Sequence, residues 1–506
     1  MSLKRNILAG FLGQGWSAVM GVAFVPLYIR HLGMESYGLI GVFAIMQAWL
    51  GLLDMGMTPT LNREMARFTA GAHTPTSIRD LLRSLETLCF GTAGLIAATV
   101  LLLSGWLAAN WLRAETLPTE AVTRAIAIIG FVVAARFVEG LYKGALHGLQ
   151  EQVWVNGLAS LMATLRAGGA VFVLMQISPT IDAFFIWQML VSALTVAILA
   201  WKVHAVLPAS GAAARFSWQQ LSSIWRFAGG MMASTLLVLL LMQVDKIILS
   251  RLLTLEQFGY YSFASTVAAV LSLLTVPITQ AYYPRFTQLA TQEDTAPLTR
   301  LYHEAAQMIA VLLIPATFVI VLFGRSLLMM WTGDALLADR TAPLLSLLGI
   351  GMLLNGLMGI PYTLTLAYGW PGFAIRQNLV AVMLLIPAVL WAVPRYGAIG
   401  AAWVWVLLNA GYLLIAAPYL YRRLLTREMW RWYGRDVGLP FAAAALTGGF
   451  LSFSIPAHHG RIAELAAQAG TALAMGLAAL LAAPDLRLSV SHRFQAWRAR
   501  AWPLSA

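Results

Sequence analysis

Apolar residues gather in fourteen runs set off by charged or loop residues, at about 7–29, 38–58, 85–108, 121–142, 153–175, 181–201, 227–250, 258–282, 303–323, 342–367, 373–393, 398–420, 437–455 and 465–483. A helix crossing a bilayer needs about 20 predominantly apolar residues. A barrel strand needs roughly half that length and an alternating pattern, which these runs lack. Lipid offers the backbone no hydrogen-bond partners, so isolated spanning segments must satisfy themselves as helices. The pattern therefore predicts an all-α integral membrane protein with about 14 transmembrane helices. Residues 4–29, a basic pair and a long apolar run with no small-residue cleavage site, read as a first span and not as a signal peptide.

Composition agrees with the segmentation. Apolar residues make up 60% of the 506 and charged ones 11%, and the mean hydropathy is +0.75. A soluble chain carries roughly 25% charged residues. The net charge of +12 would suggest a nucleic-acid partner in a soluble protein. Here its placement accounts for it. With the N-terminus inside, 22 Lys and Arg fall on the cytoplasmic side and 7 on the outside, and four lie within spans. That asymmetry is the positive-inside signature; it predicts cytoplasmic termini and removes the argument for nucleic acid. The single Cys89 cannot form an internal disulfide, and His458-His459 lacks zinc-ligand spacing, so no metal site is expected.

An internal repeat organises the spans. Arg30, Glu35, Tyr37 and Gly38 recur, at an offset of 221, as Arg251, Glu256, Phe258 and Gly259. Each set lies between the first and second span of a six-span group. An even number of spans separates the copies, so the repeat is parallel, as in alternating-access transporters. The expected organisation is an N-lobe at 1–203, a cytoplasmic linker at 204–226 containing Pro208, a C-lobe at 227–421, appended spans at 422–484, and a basic cytoplasmic tail at 485–506. Arg493, Trp497 and Arg500 share roughly one face of that tail, which suits contact with the membrane surface.

Two stretches carry a resemblance. Leu53-Asp54-Met55-Gly56 running to Asn62-Arg63-Glu64-Met65-Ala66-Arg67, and Gln243-Val244-Asp245-Lys246-Ile247-Ile248-Leu249 running to Phe258-Gly259-Tyr260-Tyr261, resemble the second and seventh helices of polysaccharide flippases. The chain is similar to Wzx-type O-antigen flippases of the multidrug/oligosaccharidyl-lipid/polysaccharide exporter superfamily. The resemblance implies two six-helix lobes around a central cationic cavity in the bacterial inner membrane. It implies an undecaprenyl-pyrophosphate-linked oligosaccharide as substrate, carried from the inner to the outer leaflet for lipopolysaccharide synthesis, with polysaccharide polymerase machinery as partner.

Charges inside the spans supply the candidate site independently. A central Arg or Lys costs roughly 2.5–3.5 kcal/mol, so four facing lipid would cost about 10 kcal/mol. They are expected to face a wet cavity or an acidic partner. Arg136, Glu139 and Lys143 share one helical face. Arg166, followed by Ala167-Gly168-Gly169, has no carboxylate within a helical turn and is expected to face the cavity. Arg124 lies near the outer end, Lys246 adjoins Asp245, and Arg30 and Arg251 sit at the outer mouth as repeat mates. Arg166, Lys246, Arg136, Arg124, Arg30 and Arg251 are the candidate substrate contacts. Asp245, Asp54 and Glu139 are the candidate carboxylates for H+ or Na+ coupling, Asp245 foremost because Lys246 stands beside it. No Gly-rich motif ending in Gly-Lys-Ser/Thr is present, so ATP is not expected to drive the chain, and no cofactor is implied. Outer loops shorter than about 20 residues leave no room for a catalytic domain, which argues against a membrane glycosyltransferase or polymerase. The rivals that remain are other exporters of the superfamily, a peptidoglycan-precursor flippase or a drug/cation antiporter. Pro26, Pro277, Pro315, Pro361, Pro387 and Pro418 are expected to permit bends.

Overall fold

The computed structural model describes residues 3–49, 53–54, 56–69, 71–208, 214–218, 243–454 and 461–488. They are predominantly helical; among them the only β pairing is an isolated bridge between Arg113 and Thr254. Among the described residues, nine helices are long and apolar enough to cross a membrane, or up to eleven when each of two bent pairs counts as one. The span expected at 227–250 lies mostly outside the described residues, as do His458, His459 and the tail beyond 488.

The longest apolar run explains why helices and spans do not match one for one. Ile375–Tyr421 is continuous over 47 residues. As a straight helix it would reach about 70 Å, twice what a bilayer needs. Gly397, at φ +60, interrupts it. The rings of Phe373 and Tyr419 then lie 5.8 Å apart, so the run doubles back into two antiparallel arms. Only glycine adopts this backbone without strain, and the sequence places its boundary between 393 and 398 at the same point.

The chain divides into two compact units, Met1–Ser262 and Phe263–Ala506, a division that falls later than the expected linker. In the first, Leu3–Ala23 and Val25–Ala48 meet at a 46° bend next to Pro26, and Gly33 at φ +81 breaks the second helix where a loop is expected. One expectation needs correcting here. Asp54 is not within a span. The helix ends at Ala48, and Asp54 lies in a turn before an amphipathic helix, Met57–Thr69. There its carboxylate accepts the Thr58 N–H at 3.1 Å and the Thr58 hydroxyl at 2.7 Å, the contacts of a helix cap. The polar run Asn62-Arg63-Glu64 makes a short surface-type helix more favourable than an extended span. Leu81, Leu85, Phe137 and Leu141 anchor this unit's apolar core.

In the second unit, Thr295–Thr332 is the central helix and runs unbroken through Pro315. The other bent pair breaks by 42° between Ala269 and Ser272, ahead of Pro277 and not at it. Leu439–Ser454 and Arg461–Leu481, which look appended in the sequence, are tied to the central helix by polar contacts near both ends. Gln468 Nε2 donates to Ser326 Oγ at 2.8 Å, and Ser326 Oγ donates to Glu464. At the other end His303 lies between Asp436 and Glu428, while Gln307 Nε2 donates to Asp436 and Asp485, each at 2.8 Å. His303, Gln307 and Asp436 are fully buried, where unpaired polar groups would be costly.

Candidate functional site

Five helices of the first unit converge on a cavity of about 460 Å³, Leu3–Ala23 among them through Ser17, Met20 and Gly21. Thr119–Gly148 contributes Arg136, Glu139 and Lys143, four residues apart or fewer at each step and so on one face. Gln152–Gln176 contributes Arg166, Ile181–Val206 contributes Gln188 and Thr195, and Val25–Ala48 contributes Phe43 and Gln47. Glu139, 3% exposed, accepts from Lys143 Nζ at 3.1 Å and from Arg166 Nη2. Arg166 Nη2 also reaches Thr195 Oγ1 at 3.3 Å. Arg166 therefore does have a carboxylate partner, supplied by a neighbouring helix, which the sequence reading did not see.

Arg136 is held differently. Its Nη1 donates to Gln47 Oε1 at 2.6 Å and its Nη2 to Gln188 Oε1 at 3.2 Å. The guanidinium carbon lies 4.9 Å from the centre of the Phe43 ring, a cation–π distance. The Nε atoms of Arg136 and Arg166 are buried with no hydrogen-bond partner among the described residues. Arg136, Lys143 and Arg166 line the cavity, and among the described residues the only carboxylate paired with any of them is Glu139. The lining charge is thus net positive in a partly buried site, where a second anion is electrostatically favoured.

The other candidates lie elsewhere. Arg124 is exposed and pairs with Asp182 at 3.0 Å. Arg30 is exposed, and Arg251 is exposed with its guanidinium carbon 5.0 Å from the centre of the Trp111 ring. Asp245 accepts the Tyr261 hydroxyl at 3.1 Å, while its Oδ1 has no side-chain partner among the described residues. Lys246 is partly buried. None of these lines the cavity, and neither does Asp54. Among the described residues, no group of three or more His, Cys, Asp or Glu side chains is placed to hold a metal.

The two repeat motifs prove to be contact surfaces for each other. A Cβ on Gly38 would strike the carbonyl oxygen of Leu255, and a Cβ on Gly259 would lie 2.6 Å from that of Met34. Leu255 and Met34 are themselves repeat mates at the same offset of 221. A Cβ on Gly41 would lie 2.5 Å from Ser262 Oγ, its own repeat mate. The contact is therefore reciprocal. Segment 111–117 braces it from the side: Leu255 N donates to Arg113 O at 2.9 Å and Trp111 Nε1 to Ser250 Oγ at 3.1 Å. The buried carboxylate of Glu35 accepts N–H groups of Thr116 at 2.9 Å and Leu117 at 3.2 Å, and further bonds from Glu115 N and the Thr116 hydroxyl. Glu256, its repeat mate, is exposed and takes only the Tyr260 hydroxyl at 3.3 Å among the bonds described.

This chain has a multi-pass helical fold shared with solved flippase and multidrug-transporter structures. It is similar to the lipid II flippase MurJ in an inward closed conformation, with TM-score 0.71 and 12% identity over 95% of this chain and 99% of that one. It is also similar to an inward-facing multidrug resistance MATE family transporter, with TM-score 0.65 and 13% identity over 81% and 95% of the two chains. The chain belongs to the polysaccharide biosynthesis protein family, whose model matches residues 3–290. A Shigella flexneri protein named "Putative O-antigen transporter" is 22% identical over 430 residues, 84% of this chain and 99% of that relative.

Proposed function

We propose that this protein carries an undecaprenyl-pyrophosphate-linked oligosaccharide from the inner to the outer leaflet of the bacterial inner membrane, both termini being cytoplasmic. The observation that carries this reading is the net-positive cavity of Arg136, Lys143 and Arg166, with Glu139 as their one acidic partner among the described residues. A diphosphate brings the negative charge the cavity lacks, and a guanidinium is suited to phosphate oxygens by its forked donors. A cationic drug would be repelled by the same lining. Family membership and the name of the Shigella flexneri relative support the polysaccharide branch.

Movement in this reading is rocking of an N-lobe, 1–203, against a C-lobe, 227–421, joined by the linker at 204–226, with 422–484 appended and 485–506 on the cytoplasmic surface. The glycine contact between 34–41 and 255–262 serves as the outer seal, and it must part for release outside. Asp245, with one carboxylate oxygen lacking a side-chain partner among the described residues and Lys246 next to it in sequence, is the first choice for H+ or Na+ coupling. Asp54 and Glu139 are weaker choices, because Thr58 caps the one and two cations hold the other. Arg30, Arg251, Arg124 and Lys246 are then contacts met along the path, outside the cavity itself, and the exported product is handed to polymerase machinery.

The test is flipping of a fluorescent polyprenyl-diphosphate oligosaccharide in reconstituted vesicles. Arg136→Ala and Arg166→Ala are expected to reduce the rate by about tenfold or more each, given the 1.5–3 kcal/mol typical of a hydrogen bond to a charged group. Arg136→Lys should retain more than Arg136→Ala. Parent-like flipping by a folded Arg136→Ala, Arg166→Ala double variant would overturn the assignment.

A further inference from the structure

The cavity contains two different solutions to one problem. A buried guanidinium must satisfy its donors. Arg166 and its neighbour Lys143 do so on a carboxylate, Glu139. Arg136 does so on two carboxamides, Gln47 and Gln188, brought from two other helices. A guanidinium only donates, so each amide must turn its oxygen toward Arg136. Gln188 is locked in that orientation, because its Nε2 donates to the Arg166 carbonyl at 3.3 Å. Glutamate is isosteric with glutamine and would give a stronger, charge-assisted bond at either place. It would also neutralise Arg136.

We propose that Gln47 and Gln188 are charge-selectivity residues: they position Arg136 as a neutral pair of acceptors and so keep one full cation free for the anionic headgroup of the cargo. This rests on the diphosphate reading above and assigns the polarity of the cavity to two uncharged side chains. Gln47 and Gln188 are positioning residues, acting through Arg136. Replacing one with Glu changes the balance at the cavity from three cations and one carboxylate to three and two; replacing both makes it three and three. With both replaced, the site no longer favours an anion over a lipophilic cation.

The experiment uses the full-length protein in lipid nanodiscs, with farnesyl diphosphate and tetraphenylphosphonium as probes. Variants are Gln47→Glu, Gln188→Glu, the double Glu variant, and Gln47→Met and Gln188→Met. Farnesyl diphosphate affinity should fall about tenfold or more in each single Glu variant and further in the double, from Coulomb repulsion at partly buried separations. The Met variants lose the acceptor but keep the free charge, so they should lose less than the Glu variants. A purely structural role predicts the reverse order, since Glu preserves the bond that Met abolishes. Tetraphenylphosphonium should bind the double Glu variant and not the parent. Equal farnesyl diphosphate affinity in parent and double Glu variant, or Met variants weaker than Glu variants, would overturn the proposal. A parent that binds no farnesyl diphosphate defeats the diphosphate reading instead. In that case the cation arm decides the polarity claim: gain of tetraphenylphosphonium in the double Glu variant supports it, and no gain sinks it.

Discussion

On the alternating-access reading proposed above, the reciprocal glycine contact makes a quantitative prediction about the balance between closed and open outer faces. Adding one methyl at Gly259 puts a carbon 2.6 Å from the Met34 carbonyl oxygen and 3.1 Å from its sulfur. At Gly38 the methyl meets the Leu255 carbonyl oxygen and lies 3.0 Å from Leu255 Cγ. The first obstacle in each case is backbone, which cannot swing aside as a side chain tip can. Overpacking of this kind costs about 1–3 kcal/mol. The substitution also favours helix by roughly 0.5–1 kcal/mol, but that gain is the same whether the seam is shut or parted. The difference falls on the closed state alone and should shift the population toward the open one by about 5–150-fold. Cys89 is the only cysteine and is buried, so a Cys89→Ser background carrying Ser262→Cys gives a clean reporter. Labelling of that cysteine by a membrane-impermeant maleimide from the outer side should speed up in Gly38→Ala and in Gly259→Ala alike. Gly157→Ala, which would meet nothing within 4 Å, should leave it unchanged. Unchanged labelling in both seam variants, or a response in only one, would refute the reasoning.

Other expectations concern the buried charges. Glu139→Gln strands Arg166 and Lys143 without a carboxylate and should destabilise the first unit by about 3–5 kcal/mol, seen as earlier loss of tryptophan fluorescence on heating; adding Arg166→Met should recover part of it. Asp436→Asn should cost a similar amount, about 3–5 kcal/mol, in the second unit, and limited trypsin digestion should then reach Arg487 sooner, because Gln307 couples Asp436 to Asp485 and to Leu486 N. In vesicles with an imposed proton or sodium gradient, Asp245→Asn should flip substrate at a rate independent of that gradient while still binding it; equal gradient dependence in variant and parent would take Asp245 out of the coupling step.

Hydrophobic segmentation located most helices and even the reversal at Gly397, because the demand for apolar length and the need for a glycine are both local. The Arg136, Glu139 and Lys143 face was equally legible, being one helical repeat. What the sequence hid was partnership across helices. Arg166 is 27 residues from the Glu139 that neutralises it, and His303 is 133 from Asp436. Gln47 and Gln188 raise no alarm in a span, since an amide there is ordinary until an arginine is found against it. Asp54 misled for the opposite reason: the apolar residues before it extend the run, and the cap on Thr58 that stops it depends on a single turn. Gly38 and Gly259 were conspicuous as alignment marks, yet their role lies in facing each other's segment, which no alignment of the two copies reveals.

That seam has a consequence for ancestry and assembly. Residue 34 meets the neighbourhood of 259 while 255 meets that of 38, and 41 lies against its own counterpart, 262. In a protein of two chains this is the signature of an isologous interface, where only residues on the dyad touch their own copies. The contact is the one a homodimer of a half-length chain would make. In such a dimer a single glycine would serve both sides of the interface, and any substitution would count twice. Once the halves share one chain their surroundings are free to diverge, as those of the identical Glu35 and Glu256 have done, while the dyad contact still binds their two glycines to a common fate.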